Sequence, residues 1–438
     1  MKRVARRNRI NNSKEFADSL SLVAEQGGRT RRHKYTRDLL AFLRPTLASI
    51  VAQISLYALF FFRFNRSDIE NLSVVSAVLA AAAIVTATIL TAFRRNDSPI
   101  VSAVAVSTII FSFAVTLLSA ARVPVSYLGL AVAYPVATAV MAAANLKFNR
   151  MLGGRAAVLD FYGAAAIVQK LPGSVVLDDP ASSLDDIDYL LIDPVEHHTS
   201  RWSPLLTKAY LSNVDILPWT TFLEIRLRRA DVDTFDISHV AYTPSQFAYA
   251  RLKRYIDLIA VIVTLPITLV LGLLVALYIA ARDGGPVLFV QHRRGFAGRP
   301  FRMYKFRTMY KGQSGGATKS DDRRIIPGCR FIRRARLDEL PQLFNVLVGD
   351  MSLIGPRPES IELARWYERE IPEYAHRLLV LPGLTGWAQV NSGYTSNPDE
   401  AKIKLSYDIY YIKHLSLDID IITVFKTLRT IVFGTGAR

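Results

Sequence analysis

Four apolar runs, Pro45 to Phe62, Val74 to Phe93, Pro99 to Ala121 and Val125 to Leu146, follow one another in the first third of the chain. Each is close to the ~20 apolar residues that a helix needs to cross a bilayer. Each is also nearly free of charge, so the pattern predicts four transmembrane helices in preference to buried helices of a soluble bundle. Residues of hydrophobic type make up 51% of the 438-residue chain and charged ones only 21%, which excludes a disordered polypeptide. One cysteine, Cys329, excludes an internal disulfide and any multi-cysteine metal centre, and suits a reducing compartment.

Charge placement orients the runs. The leader, residues 1–44, carries Arg3, Arg6, Arg7, Arg9, Arg29, Arg31, Arg32 and further cations, a load that resists translocation. The same polar, arginine-rich stretch ahead of the first run argues against a cleavable signal peptide. Arg94 and Arg95 follow the second run, and Lys147, Arg150 and Arg155 follow the fourth. The N-terminus and everything beginning after residue 146 are therefore expected on the cytoplasmic side. The net charge is +17, from 54 basic against 37 acidic residues. Its membrane-proximal placement, with no helix-turn-helix or aromatic-basic platform, favours phospholipid or a nucleotide diphosphate over nucleic acid.

A fifth apolar run, Ile256 to Ala280, has Arg251, Lys253 and Arg254 before it and Arg282, Arg293, Arg294 and Arg299 after it. Both flanks favour the same side of a membrane. Pro266 removes a helix hydrogen bond in the middle of the run, so a re-entrant hairpin over residues 256–280 is expected in preference to a simple span.

Between these regions, short β-like runs at Ala156 to Leu159, Ser174 to Leu177 and Tyr189 to Ile192 alternate with helical stretches and predict a small α/β module over residues 147–245. Gly153, Gly154 and Gly163 surround its first strand, but the stretch Asp160-Phe161-Tyr162-Gly163-Ala164-Ala165 lacks the G-x-G-x-x-G fingerprint. A degenerate Rossmann-like module without cofactor is the better reading. His197 and His198 are adjacent, with no third ligand nearby, and are read as solvated rather than as a metal pair.

From Arg282 onward, polar residues without an obvious packing role accumulate. Arg293, Arg302, Lys305 and Arg307 fall in two strand-like stretches whose alternation places some cations on one face, a candidate phosphate cradle. Arg330, Arg333, Arg334 and Arg336 then precede the adjacent carboxylates Asp338 and Glu339, a pattern that by itself also fits a solvated, ion-paired helix face. The string Leu337-Asp338-Glu339-Leu340-Pro341-Gln342-Leu343-Phe344-Asn345 continues into Gly355-Pro356-Arg357-Pro358 and, further on, Pro382-Gly383-Leu384-Thr385-Gly386-Trp387-Ala388-Gln389-Val390.

These blocks, spanning roughly Arg251 to Arg438, resemble those of the bacterial sugar transferases, the monotopic phosphoglycosyl transferases. The whole layout resembles their longer polyprenyl-phosphate hexose-1-phosphate transferase branch, and the tail Asp408-Ile409-Tyr410-Tyr411-Ile412-Lys413 is similar to its exopolysaccharide members. The resemblance implies a multi-pass protein of the bacterial inner membrane whose catalytic domain, residues 246–438, is an α/β domain on the cytoplasmic face. It implies transfer of a sugar 1-phosphate from a UDP-sugar, a hexose such as glucose or galactose, to undecaprenyl phosphate with release of UMP. Asp338 would be the nucleophile, with Glu339 beside it and Mg²⁺ held by the two. Arg333, Lys305, Arg307, Arg293, Arg357 and Gln389 are the expected phosphate and substrate contacts, and Pro266 the membrane hinge. A homodimer is left open.

Two departures accompany the resemblance. The family's Asn-Gly-Arg after the Trp-Ala-Gln-Val block is replaced by Asn391-Ser392-Gly393-Tyr394, and its Ser-Pro hairpin break by Leu265-Pro266. Residues 415–433 mix apolar and charged positions in an amphipathic pattern that suits either a membrane surface or a core-packing helix. The rival to an enzyme is a catalytically decayed, membrane-anchored regulator or scaffold, which the intact Asp338-Glu339 pair disfavours.

Overall fold

The structure, a computed structural model, describes residues 40, 42–62, 69–92, 98–151, 155–184, 187–193, 200–212, 214–233, 235, 243–311, 322–392 and 397–433. Most of the basic leader, His197 and His198, Gly153 and Gly154, and Gly393 and Tyr394 lie outside these residues. The chain divides into two compact units, Met1–Arg226 and Leu227–Arg438.

The first unit opens with four long helices, α1 (Phe42–Phe62), α2 (Ile69–Ala92), α3 (Pro99–Ala120) and α4 (Tyr127–Met151). They correspond to the four apolar runs. Pro99 occupies the first turn of α3, where its missing N–H has no helical partner to lose. Alanines at the contacts, including Ala83, Ala87 and Ala103, let the backbones approach closely. Large apolar side chains such as Ile109 and Phe113, 66% and 67% exposed, point outward. That distribution suits a lipid solvent better than water.

The α/β module follows as a parallel sheet in the order β2-β1-β3-β4, formed by β1 (Ala156–Leu159), β2 (Val175–Leu177), β3 (Tyr189–Ile192) and β4 (Asp215–Pro218). Three helices accompany it, α5 (Ala164–Lys170), α6 (Ser203–Leu211) and α7 (Trp219–Leu227). β1 is buried along its whole length, as a central parallel strand must be. Gly163, at φ 96°, makes the turn from β1 into α5. The fourth strand escaped the sequence pattern because it is short and ends in Pro218, a residue that reads as a breaker.

The second unit takes in residues ahead of α8. Ala230 and Val232 pack with Tyr367, Ile371, Leu405 and Ile409, and the Trp387 indole donates to the Arg228 carbonyl at 3.0 Å. This helix, α8 (Pro244–Asp283), starts with a capping box between Thr243 and Gln246 and ends at Gly284, φ 64°. Pro266 lies inside it, and the assigned helix runs through without interruption.

Both ends of α8 dock on the same body. In its N-terminal third, Lys253 pairs with Asp420 at 2.6 Å, Arg254 donates to the Leu347 carbonyl at 2.9 Å, and Asp257 accepts from Ser352 at 2.6 Å. In its C-terminal third, Val275 and Ile279 join a core with Phe306, Ile326, Cys329 and Ile332, and Tyr278 donates to the Pro327 carbonyl at 3.0 Å. Between them Ile262, Val263, Ile267, Leu269, Val270, Leu273 and Leu274 are exposed.

The rest of the unit builds the site. An antiparallel hairpin joins β5 (Leu288–Arg294) to β6 (Pro300–Phe306), with Phe289 opposite Lys305. Short helices α9 (Cys329–Arg334) and α10 (Gln342–Val348) flank the carboxylate pair. The parallel pair β7 (Ser352–Ile354) and β8 (Gly383–Thr385) brings the Gly-Pro-Arg-Pro segment beside the Pro-Gly-Leu-Thr-Gly-Trp segment. Helices α11 (Ile361–Glu370), α12 (Trp387–Asn391), α13 (Pro398–Lys413) and α14 (Leu417–Phe433) complete it. The amphipathic C-terminal pattern resolves along the length of α14. Ile419, Ile422 and Thr423 are buried, whereas Phe425 and Leu428 are exposed.

Candidate active site

The chain leaves α9 through Arg336, whose φ of 59° is unusual for a residue with a side chain, and enters a single 3₁₀ turn, Leu337–Glu339. This tight reversal buries both Asp338 and Glu339. The sequence pattern of an exposed ion-paired helix face therefore does not describe the pair.

The two carboxylates have opposite environments. Glu339 Oε1 accepts from Arg357 Nη2 at 3.1 Å and from Arg336 Nη1 at 3.3 Å. Burial alone would raise its pKa, but the charges of Arg357, Arg336 and Lys305 hold the carboxyl down at about 2. Asp338 Oδ1 is buried with no hydrogen-bond partner among the described residues. Burial and the adjacent Glu339 charge push Asp338 up to about 6, against the pull of Lys305, Arg333 and Arg336. Two neighbouring carboxylates are thus driven apart in acidity, the usual sign of divided roles.

Cations surround the pair. Lys305 projects from β6, and burial with the Arg357 charge pushes its ammonium down to about 8. Its ammonium makes no hydrogen bond or ion pair among the described residues, so its charge is available to a ligand. Arg333, on the last turn of α9, donates to the Thr308 hydroxyl at 3.2 Å and acts on Asp338 through its charge. Arg293 donates to the Pro358 carbonyl at 3.2 Å and to Gln291 at 2.7 Å, while its buried Nε has no hydrogen-bond partner among the described residues. Burial lowers its pKa, and the charges of Glu359, Arg357 and Glu339 act on it.

The structure thus brings together Asp338, Glu339, Lys305, Arg333, Arg357 and Arg293. Arg307 stands apart from them. Its buried guanidinium pairs with Asp283 and donates to the carbonyls of Pro286 at 2.6 Å and Gly284 at 2.8 Å, bracing the end of α8. Gln389 sits on α12 with its Nε2 3.5 Å from the Leu384 carbonyl and its buried Oε1 without a hydrogen-bond partner among the described residues. No contact among the described residues joins it to the carboxylates. Arg336 was visible only as one of four cations in a run, and the αL conformation that turns it onto Glu339 has no composition signal. Glu359, Arg377, Lys404 and Asp408 form a buried ionic cluster behind Arg357 that sequence spacing does not reveal.

The family described as bacterial sugar transferase matches residues 248–434. A UDP-N-acetylgalactosamine-undecaprenyl-phosphate N-acetylgalactosaminephosphotransferase of Aeromonas hydrophila is 41% identical over 241 residues, 54% of this chain and 57% of that protein. A UDP-glucose:undecaprenyl-phosphate glucose-1-phosphate transferase of Caulobacter vibrioides is 41% identical over 191 residues, 42% of this chain and 71% of the relative. The uncharacterised sugar transferase EpsL of Bacillus subtilis is 40% identical over 188 residues, 43% of this chain and 90% of the relative. The chain therefore spans little more than half of the Aeromonas protein but most of the two shorter ones. This chain belongs to the bacterial sugar transferase family.

Proposed function

We propose that the protein transfers a sugar 1-phosphate from a UDP-sugar to undecaprenyl phosphate, with release of UMP, as a first membrane step of polysaccharide synthesis. The observation that carries this reading is the buried Asp338 oxygen without a donor among the described residues, in the field of Lys305, Arg333 and Arg336, while Glu339 beside it is occupied by two guanidinium groups. An acceptor kept free among cations is a nucleophile facing a polyanion, not a structural ion pair.

In the proposed reaction a carboxylate oxygen of Asp338 attacks the sugar-bearing phosphorus, and the bond from that phosphorus to the bridging oxygen breaks, releasing UMP. A phosphate oxygen of undecaprenyl phosphate then attacks the same phosphorus and displaces Asp338. Lys305, Arg333 and Arg293 neutralise the phosphates, and Glu339 holds Arg357 and Arg336 in place while remaining ionised. Mg²⁺ fits these residues: Asp338 Oδ1 is an unoccupied acceptor, and this cation takes one or two carboxylates and completes its shell with water and phosphate oxygens. Asp338 and Glu339 would hold it, and when bound it withdraws charge from the diphosphate.

The membrane arrangement in this proposal has α1 to α4 crossing the bacterial inner membrane and α8 re-entering it from the cytoplasmic face about Pro266. The docking of both ends of α8 on one body supports the hairpin, since a simple span would carry those ends to opposite faces. The sugar is chosen by pocket contacts: relatives are named for glucose and for N-acetylgalactosamine. Purified protein in nanodiscs, given undecaprenyl phosphate and a panel of UDP-sugars, is expected to release UMP with at least one of them and to stop in EDTA. Absence of UMP release across the panel would favour the scaffold reading, and undiminished release after exhaustive chelation would remove the metal.

A further inference from the structure

Arg357 reaches Glu339 from a turn that is held from behind. Pro356 and Pro358 restrict the backbone on either side of it. Gly355 lies so close to the next segment that an added Cβ would sit 2.4 Å from the Leu381 carbonyl oxygen. The main chain of the turn is then gripped by two guanidinium groups: the Pro358 carbonyl accepts from Arg293 at 3.2 Å, and the Arg357 carbonyl accepts from Arg377 Nη2 at 2.9 Å.

Arg377 has a side chain only 4% exposed. Its Nη2 also pairs with Asp408 at 2.9 Å, and its Nη1 donates to the Tyr374 hydroxyl at 2.5 Å and to Glu359 at 3.4 Å. Glu359, two residues beyond Arg357, is further tied to Lys404 at 2.7 Å. Burial would raise the Glu359 carboxyl, but Lys404 and Arg377 hold it down at about 2. Lys404 and Asp408 lie four residues apart and so share one face of α13.

Burying so many charges is expensive, and well-packed apolar residues often serve stability as well or better. The arrangement is explained if the guanidinium fork fixes geometry. We propose that Arg377 is a positioning residue for the transfer reaction: anchored by Asp408 and Tyr374, it fixes the Arg357 turn so that the Arg357 side chain meets Glu339 beside Asp338. The inference rests on the reaction proposed above.

A lysine at position 377 keeps the charge but not the fork. Arg377→Lys is expected to lower UMP release about tenfold or more and to move the acid limb of the pH profile to higher pH, because a displaced Arg357 leaves the Glu339 charge less neutralised next to Asp338. In an Arg357→Lys background the same substitution is expected to cost less than about twofold, since its effect runs through a residue already disabled. Full additivity of the two losses, or an unmoved acid limb, would overturn the proposal. Should Arg377→Lys fail to accumulate, Tyr374→Phe removes one anchor of the guanidinium and is held to the same two criteria.

A cycle of Arg377→Lys and Glu339→Gln read as thermal midpoints needs no substrate. Coupling between these residues, lost in Arg357→Met, is expected, and additive midpoints in the parent would overturn the positioning role. A parent protein that releases no UMP would strike the assigned reaction while this cycle still decides the positioning.

Discussion

Arg357 Nη2 lies 3.1 Å from Glu339 Oε1, whereas the adjacent Asp338 Oδ1 accepts no hydrogen bond among the described residues. One arginine thereby divides two consecutive carboxylates into a fixed anion and a free one. The carboxyls differ in acidity accordingly: Arg357, Arg336 and Lys305 hold Glu339 at about 2, while burial and the Glu339 charge push Asp338 up to about 6.

Activity is expected to rise with pH through about 6, as Asp338 ionises. Glu339, held at about 2, is ionised throughout this range and adds no limb of its own. Single-turnover UMP release followed between about pH 4 and 8 at limiting Mg²⁺ checks this, since bound Mg²⁺ would itself draw the carboxyl down, and activity that stays flat down to about pH 5 would contradict the burial argument.

The same shift predicts a stability effect of opposite sign to the loss of function. A carboxyl whose folded pKa is raised stabilises the fold only in its protonated form. That contribution is full below the unfolded value near 4 and is lost as pH rises through about 6. At pH 7.5 the ionised Asp338 therefore strains the fold by an amount on the order of 2–3 kcal/mol. Asp338→Asn is expected to raise the thermal midpoint at pH 7.5, to keep about half of that advantage at pH 5 and to lose nearly all of it below about pH 4.

Arg307 and Arg357 separate bracing from chemistry. Arg307→Met breaks a buried pair with Asp283 and frees the carbonyls at the end of α8, so a loss of about 3 kcal/mol or more in stability is expected. Arg357→Met is expected to reduce UMP release by about 100-fold with a smaller fall in midpoint, since its side chain is 29% exposed. Unfolding curves and turnover measured on the same preparations distinguish the two.

The placement of α8 is open to chemical labelling. Exposed Arg251, near the start of α8, and Arg299, beyond its end, flank the apolar run Ile256 to Ala280. Single cysteines there, in a Cys329→Ala background, are both expected to react only from the cytoplasmic side of oriented vesicles. Labelling of position 299 from the outside would replace the hairpin by a span. Pro266→Leu is expected to lower activity by restoring the missing helix hydrogen bond and straightening the segment.

Much of this architecture is legible in the sequence because it depends on long, one-dimensional patterns. The apolar runs mark α1 to α4 and α8, and the strand-like stretches mark β1 to β3. The carboxylate pair and Lys305, Arg333, Arg293 and Arg357 are legible as a composite of blocks. What escaped depends on three-dimensional accidents of direction. Arg336 acts through a left-handed backbone, Arg307 turns toward Asp283 and away from the site, and Arg377 and Asp408 meet Glu359 only once α13 has packed. Periodicity specifies which face a residue occupies, and a long guanidinium side chain can still choose among several partners from that face.

The central claim is that Asp338 itself carries the phosphosugar. Quenching the protein within milliseconds of mixing with a UDP-sugar, before undecaprenyl phosphate is added, and mapping its peptides by mass spectrometry tests this directly. The account predicts a phosphosugar adduct on the peptide containing Asp338, formed together with UMP, discharged by undecaprenyl phosphate, and absent in Asp338→Asn along with all UMP release. Full turnover by the Asp338→Asn protein, or an adduct on another side chain, would contradict it.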